Sequence, residues 1–240
     1  MQTGLYVSLS AQIALRKRMD TIAGNVANMN TAGFRASEVK FQTLVEKAGS
    51  NSVAYSSTGT EFISRRSGGM VKTDNPLDVA IQGDGWFAIK TPAGTAYTRD
   101  GRLNLTETGT LQGINGNPIL DAGGTPIVLD PSAGPPMIAS DGMITQNGAQ
   151  VGAIGLFSID DTAKLSRTSF GGLIPDKPAT PVLDFTSNGV AQGFVENSNV
   201  NPVMEMTRLI MVSHAFDSVS NAMTASESSL NDAVKTLGGA

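Results

Sequence analysis

The stretch AGNVANMNTAGFRASEVKF, Ala23 to Phe41, decides how this chain is read. It begins as the end of an amphipathic helix and then runs into Asn25, Asn28, Asn30, Thr31 and Gly33 before apolar residues resume at Phe34. Upstream, Leu15, Met19, Ile22, Val26 and Met29 follow steps of 4, 3, 4 and 3, with Leu5, Leu9 and Ile13 on an adjoining stripe. That spacing, without proline, predicts a helix over Thr3–Met29 of roughly 40 Å. Asn30 and Gly33 suit a helix end, where left-handed backbone and short polar side chains satisfy freed carbonyls. Asn25 and Asn28 flank Val26, where an amide can hydrogen-bond to a neighbouring helix and fix register at some cost in stability.

The other end of the chain repeats the pattern. Leu209, Val212, Phe216, Val219, Met223, Ser226, Leu230, Ala233 and Leu237 alternate steps of 3 and 4. Asn201 is a suitable cap, Pro202 suits the first helical position, and Gly238-Gly239 a stop. The small residues Ser226 and Ala233 favour close packing. Leu15, Met19, Ile22 and Val26 are expected to pack with Leu209, Val212, Phe216, Val219 and Met223.

Between the helices the period becomes strand-like, roughly from Phe62 to Phe194. Asp84-Gly85, Asp100-Gly101, Asn115-Gly116, Asp141-Gly142, Asn147-Gly148 and Asn188-Gly189 are dipeptides favoured in tight hairpins. DPSAGPPM and IPDKPATPV read as loops or edge crossings, because proline cannot donate to a central ladder. The expected fold is therefore α+β and mainly β. A β-rich central domain is inserted between N- and C-terminal helices that pair as a coiled-coil-like inner layer. The expected division is 1–33 for the N-terminal helix, 34–74 for a connecting segment, 75–195 for the β-rich outer domain and 196–240 for the C-terminal helix.

Composition narrows the function. The 240 residues carry a net charge of −4, so no basic field points to nucleic acid. Charged residues are only 16%, which suits a subunit covered by neighbours. With no cysteine and a single histidine, His214, a disulfide framework, a thiolate metal site and a multi-histidine metal site are ruled out. No apolar run is long enough to span a membrane, and the N-terminus lacks the pattern of a cleavable secretory signal.

Candidate sites weigh poorly against their structural readings. GDGWFA (Gly83–Ala88) fits the dinucleotide-loop glycine pattern, but a strand-like run follows where that motif needs a helix, so a hairpin turn is expected. Asp74, Asp78, Asp84 and Asp100 are read as turn residues rather than as a glycosidase pair. Ser213, His214 and Asp217 share one helix and point in different directions, so no catalytic relay is expected. Arg16-Lys17-Arg18 is a solvated face or meets acids of a neighbouring subunit, of the kind of Glu205 or Asp217. Asn104-Leu105-Thr106, a formal glycosylation sequon, is given no weight. No catalytic, cofactor or metal residues are expected; the strong features are interfaces.

Three segments resemble one family. GNVANMNTAGFRA (Gly24–Ala36) resembles the N-terminal signature of the bacterial flagellar rod and hook proteins. The segment from Asn75 to Leu120 and QGFVENSNVNPVMEMTRLI (Gln192–Ile210) resemble the middle and C-terminal segments of the same proteins, in the same order. The likeness is greatest to proximal-rod members; Asn201 stands where many relatives have aspartate, which caps a helix about equally well. The resemblance implies an axial structural subunit without enzymatic activity or cofactor. Such subunits are exported unfolded through the flagellum's type III apparatus and pack helically with copies of themselves and with other proximal and distal rod proteins. It also implies that the terminal helices line an inner tube with the β-rich part outside, and that Asn25, Asn28, Asn30, Thr31, Gly33 and Phe34 belong to the family motif. A distal-rod subunit is the nearer alternative. A periplasmic glycan-binding β-domain is the farther one, disfavoured by 5% aromatics and a single tryptophan.

Overall fold

The computed structural model describes residues 2–48, 51–57 and 59–239, and of residues 2–5, 43–48, 51–56 and 230 the backbone alone. The described chain is mixed, with a β-rich centre and a long C-terminal helix. It divides into two compact units: residues 1–28, 37–64 and 200–240 form one, and 29–36 and 65–199 the other. The backbone therefore crosses between units four times.

The first unit holds α1 (Gln2–Ala27), β1 (Ser37–Lys40), β2 (Thr43–Ala48), β3 (Asn51–Ser56), β4 (Thr60–Ile63) and the C-terminal helix, α2 (Pro202–Gly238). Strands β1 and β4 pair antiparallel, as do β2 and β3. The β-structure thus starts well before Phe62, in a stretch whose turn and polar residues hide its alternation. Helix α2 starts as its sequence requires: the Asn201 side chain accepts the Met204 N–H at 3.1 Å, and Pro202 follows. It ends where Gly238-Gly239 is expected to stop it, with Gly239 as the C-cap at φ −98°.

Helices α1 and α2 lie side by side, with the last turn of α1 at the first turn of α2, so they run antiparallel. On α1, Ala14 and Ile22 are buried and Leu15, Met19 and Val26 half-buried, whereas Leu9 is exposed. On α2, Val212 is buried and Leu209, Phe216, Val219 and Met223 half-buried, whereas Leu237 is 85% exposed. The side chains of Leu5 and Leu230 lie outside the described ones.

The second unit carries β5 (Met70–Lys72), β6 (Val79–Gln82), β7 (Trp86–Thr91), β8 (Gly94–Thr98), β9 (Leu103–Leu105), β10 (Leu111–Gly113) and β11 (Met137–Ile138). It continues with β12 (Met143–Gln146), β13 (Ala149–Ala153), β14 (Leu156–Ser158), β15 (Leu165–Arg167), β16 (Leu173–Pro175), β17 (Thr180–Pro181), β18 (Gly189–Gln192) and β19 (Phe194–Glu196). Its largest sheet has the order β15-β16-β8-β7-β14-β17, and the proline-containing β17 sits at an edge, where its missing donor costs nothing. Strand β7 is central and covered on both faces. Phe87 and Ile89 enter the main core with Val79, Leu111 and Ile144, and Ala88 packs the opposite face with Leu120 and Phe157. That double burial explains why WFAIK reads as a continuous apolar run. Strands β18 and β19 pair back onto β6 and β5, which returns the chain's late segment to its early one.

The glycine-turn dipeptides divide into two groups. Asp141-Gly142 and Asn147-Gly148 join the β11–β12 and β12–β13 hairpins, with Gly142, Asn147 and Gly148 at positive φ. The expected hairpin at Gly83–Ala88 is a correction: β6 and β7 belong to different sheets, so this turn is a crossing. The β7–β8 hairpin instead turns through Pro92 and Ala93, between the paired Thr91 and Gly94.

Candidate functional site

The family-motif segment is used twice, once in each unit. In the first unit Asn25 is 3% exposed and acts as a three-way clamp. Its Oδ1 accepts the Ser37 N–H at 2.8 Å, and its Nδ2 donates to the Ser37 carbonyl at 2.8 Å and to Glu205 Oε2 at 3.3 Å. The amide thus completes the start of β1 as a neighbouring strand would and ties α1 to α2. Glu205 is itself buried, and its other oxygen accepts from Arg208 one turn on. The expectation that a carboxylate of this kind meets a neighbour's basic run is therefore corrected for Glu205, which is engaged within its own unit. Of the basic run, Lys17 donates to the Gly59 carbonyl at 2.9 Å, while Arg16 and Arg18 are exposed.

Asn28 takes the helix-ending role expected of Asn30. Its Nδ2 donates to the Gly24 carbonyl at 2.9 Å, and its N–H donates to the Asn25 carbonyl. Asn30 is exposed and does not adopt positive φ, so the left-handed expectation for it is corrected. Gly33 does adopt it, at φ +66°.

In the second unit, residues 31–36 dock onto β19 and the segment that follows it. The Gly33 N–H donates to the Glu196 carbonyl at 2.7 Å, and the Asn199 N–H donates to the Phe34 carbonyl at 3.2 Å. Asn199 Oδ1 accepts the Ala36 N–H at 2.7 Å, while its Nδ2 donates to the Arg66 carbonyl. The Arg167 guanidinium stacks 4.1 Å from the Phe34 ring centroid and donates to the Arg35 carbonyl. Thr31 closes the turn through its carbonyl, which accepts the Phe34 N–H. A Cβ on Gly33 would sit 2.2 Å from the Asp100 nitrogen and 2.3 Å from the Arg99 carbonyl carbon. Both the φ angle and the close approach demand glycine there. Gly33→Ala is expected to destabilise the chain by about 2–4 kcal/mol through strain and displaced backbone, read as a lower denaturant midpoint; an unchanged midpoint would show that the loop relocates freely.

At the base of this docked loop lies a buried charge cluster. Arg35 Nη1 pairs with Glu196 Oε1 at 2.5 Å and Arg99 Nη1 with Glu196 Oε2 at 3.1 Å; all three side chains are at most 3% exposed. Glu196 Oε1 also accepts the Gly68 N–H at 2.8 Å, and Arg99 Nη2 donates to the Gly83 carbonyl at 2.9 Å. Both guanidinium carbons lie 5.6 Å from the Trp86 ring centroid. The indole thus offers an electrostatic partner to the hydrogen-bond-free Arg35 Nε and Nη2 and Arg99 Nε. Burial pulls the Arg99 pKa below the usual arginine range against the opposing pull of Glu196.

The carboxylates weighed as catalytic candidates serve local structure. Asp74, at φ 58°, pairs with Lys72; Asp78 accepts from Asn75; Asp100 holds Arg102 in a two-pronged ion pair. The Asp84 N–H donates to Asn188 Oδ1, and His214 is exposed on α2. Among the described residues no group of three or more His, Asp or Glu side chains is placed to hold a metal, and no helix is long and apolar enough to cross a membrane.

The organised chemistry of this chain is interlocking: side chains that clamp backbone to backbone within each unit, and helices with faces left over. This is the class of an assembling structural protein. Three family profiles match in order, described as flagella basal body rod protein over residues 5–35, flagellar hook protein FlgE/F/G D1 domain over 80–146, and flagellar basal body rod FlgEFG protein C-terminal over 191–236. The chain is similar to the flagellar basal-body rod protein FlgF of Mesorhizobium japonicum, 53% identical over 99% of both chains. It is similar to FlgF of Rhizobium meliloti, 50% identical over all of this chain and 99% of that one. Identity falls to 31% with FlgG of Bacillus subtilis, over 98% of each chain. The chain belongs to the flagellar basal-body rod protein family. Membership makes it a structural component of the flagellar basal body.

Proposed function

We propose that this chain is an axial subunit of the proximal rod that joins other rod proteins and copies of itself in the shaft that carries torque towards the hook. The reading is supported most by the full-length likeness to FlgF relatives at 50–53% identity, against 31% for an FlgG relative. In this reading α1 and α2 pair as a coiled-coil-like inner layer, along Leu15, Met19, Ile22 and Val26 on one side and Leu209, Val212, Phe216, Val219 and Met223 on the other. The inner-tube domain then takes 1–33 and 196–240, the connecting segment 34–74 and the outer β-rich domain 75–195. The chain performs no catalysis, and it reaches its place unfolded through the flagellar type III apparatus.

Burying the seam stabilises by roughly 25 cal/mol per Å² of apolar surface, repeated at every subunit. A charge inside it costs several kcal/mol. Phe216→Asp is therefore expected to abolish rod incorporation and swimming, scored by motility and by the tagged chain in purified basal bodies. Intact swimming would remove the seam from the assembly. Position is tested with the wild-type chain: labelling at the membrane-proximal end of purified rods is expected, and labelling only at the hook end would favour the distal reading.

A further inference from the structure

Asn115-Gly116, Asn147-Gly148 and Asn188-Gly189 are the same dipeptide in sequence, and the structure treats them differently. The pair matters chemically because the amide carbon of an asparagine can reach the next residue's nitrogen, and glycine leaves that nitrogen unshielded. Where the two groups are free to meet, a five-membered ring closes and ammonia leaves. Hydrogen bonds that hold either group therefore protect the pair.

Two of the pairs are held. The Gly116 N–H donates to the Gly113 carbonyl at 2.9 Å, and the Asn115 amide lies so close to Gly171 that a Cβ there would sit 2.5 Å from its Nδ2. Asn188 Oδ1 accepts the Asp84 N–H at 2.9 Å, and Gly189 is buried at the start of β18, paired with Gln82. Asn147-Gly148 is the exception. It forms the tip of the β12–β13 hairpin, between the paired Gln146 and Ala149, and both residues are exposed. Among the described residues no hydrogen bond engages the Asn147 amide or the Gly148 N–H, and a Cβ on Gly148 would meet nothing within 4 Å.

We propose that Asn147 is a self-modification site, the position at which this chain spontaneously exchanges asparagine for aspartate and isoaspartate. The Gly148 nitrogen gives up its proton and attacks Asn147 Cγ. The bond from Cγ to Nδ2 breaks, and Nδ2 departs as ammonia carrying that proton. Water then opens the cyclic imide. Addition at Cγ leaves aspartate, whereas addition at the main-chain carbonyl carbon leaves isoaspartate, with the chain now running through Cβ and Cγ. Neither step needs an oxidant, a cofactor or an enzyme, and both proceed in the isolated chain whatever it assembles into.

The two products differ in consequence. Aspartate tolerates the left-handed backbone that Asn147 adopts at φ 50°. Isoaspartate lengthens a tight two-residue turn by one backbone atom, and the Gln146–Ala149 pairing cannot close over it unchanged. Gln146 resists any shift, because its buried side chain accepts the Asp130 N–H and donates to the Asp130 and Gly134 carbonyls. The strain therefore falls on β13, which has no second strand beyond it to hold its register.

The test holds the full-length chain in warm, mildly alkaline buffer, with and without guanidinium chloride. Samples are digested at intervals for mass spectrometry, with fragmentation that separates aspartate from isoaspartate. In the folded chain Asn147 is expected to convert first, with Asn115 and Asn188 at least about tenfold slower, the lag that about 1.4 kcal/mol of local opening produces. In denaturant the rates are expected to converge, since each is then a free Asn-Gly pair. Conversion led by Asn115 or Asn188, equal rates in the folded chain, or a preference for Asn147 that persists undiminished in denaturant would each overturn the site. So would an Asn147 that reacts in denaturant but not in the folded protein. The aged chain is then resolved into its products. The isoaspartyl fraction is expected to unfold at lower denaturant than the Asn147→Asp variant, and coincident midpoints would overturn the effect assigned to the turn.

Discussion

Glu196→Gln is expected to lower the thermal midpoint by on the order of 10 °C. In the folded chain one carboxylate neutralises two guanidinium groups, and all three side chains are almost completely buried. Glutamine keeps an acceptor of the same shape but removes the charge, and its amide group then points two donors at groups that can only donate. Removing one member of a buried ion pair costs about 3–5 kcal/mol because the remaining charge stays desolvated. For a protein of this size each kcal/mol moves the midpoint by roughly 2–4 °C. The interaction also explains why the loss should exceed that of an ordinary surface pair, which is worth about 0–1 kcal/mol. A companion variant with Arg35→Met, Glu196→Met and Arg99→Met removes every charge at once and is expected to recover much of the loss, since a well-packed apolar replacement often equals a buried ion network. Calorimetry on both decides the matter: a single variant melting within about 2 °C of the parent would mean the cluster is solvated.

Asn25→Asp is expected to destabilise the helix-bearing unit by about 3 kcal/mol at neutral pH, with a pH dependence of definite sign. The change is nearly isosteric, yet it replaces a donor to two oxygens by a second carboxylate. That carboxylate would face Glu205 Oε2, now 3.3 Å from the Asn25 nitrogen, and the Ser37 carbonyl at 2.8 Å. Two carboxylates in one buried site cannot both ionise, so the folded form takes up a proton more readily than the unfolded form. The folded state then binds more protons, and its stability falls as pH rises. Denaturant midpoints of the variant should therefore rise towards the parent between about pH 7 and pH 5, as the shared proton binds. A deficit independent of pH would show that geometry, not charge, is what Asn25 supplies.

Both sites draw on the Ala23–Phe41 stretch, one through Asn25 and the other through Arg35 alone, and they were legible to different degrees. The helices were plain because each repeats an apolar step of 3 or 4 over many turns, and Asn201-Pro202 announces the start of α2. Asn25 stood out as polar beside an apolar seam, although nothing local names Ser37 or Glu205 as its partners. The Arg35–Glu196–Arg99 cluster was not legible. Arginine and glutamate are read as surface residues, and Arg35 finds Glu196 across 161 positions of sequence. The turn dipeptides fared in between. An Asn-Gly or Asp-Gly pair fixes local backbone twist, but which strands flank the turn is decided by sheet packing, so Gly83–Gly85 became a crossing between sheets. Strands β1 to β4 were missed as β-structure because their short runs fall among polar and glycine residues.

The docked loop has a kinetic consequence. Residues 31–36 close onto a strand and following segment that are synthesised more than 160 positions later. Contacts of such high order form late, since the entropy of closing the intervening loop comes before any reward. A chain built this way cannot complete its β-rich unit from its leading portion alone. The unit locks only once its trailing strand is available, so its topology acts as a timer on when the subunit becomes rigid.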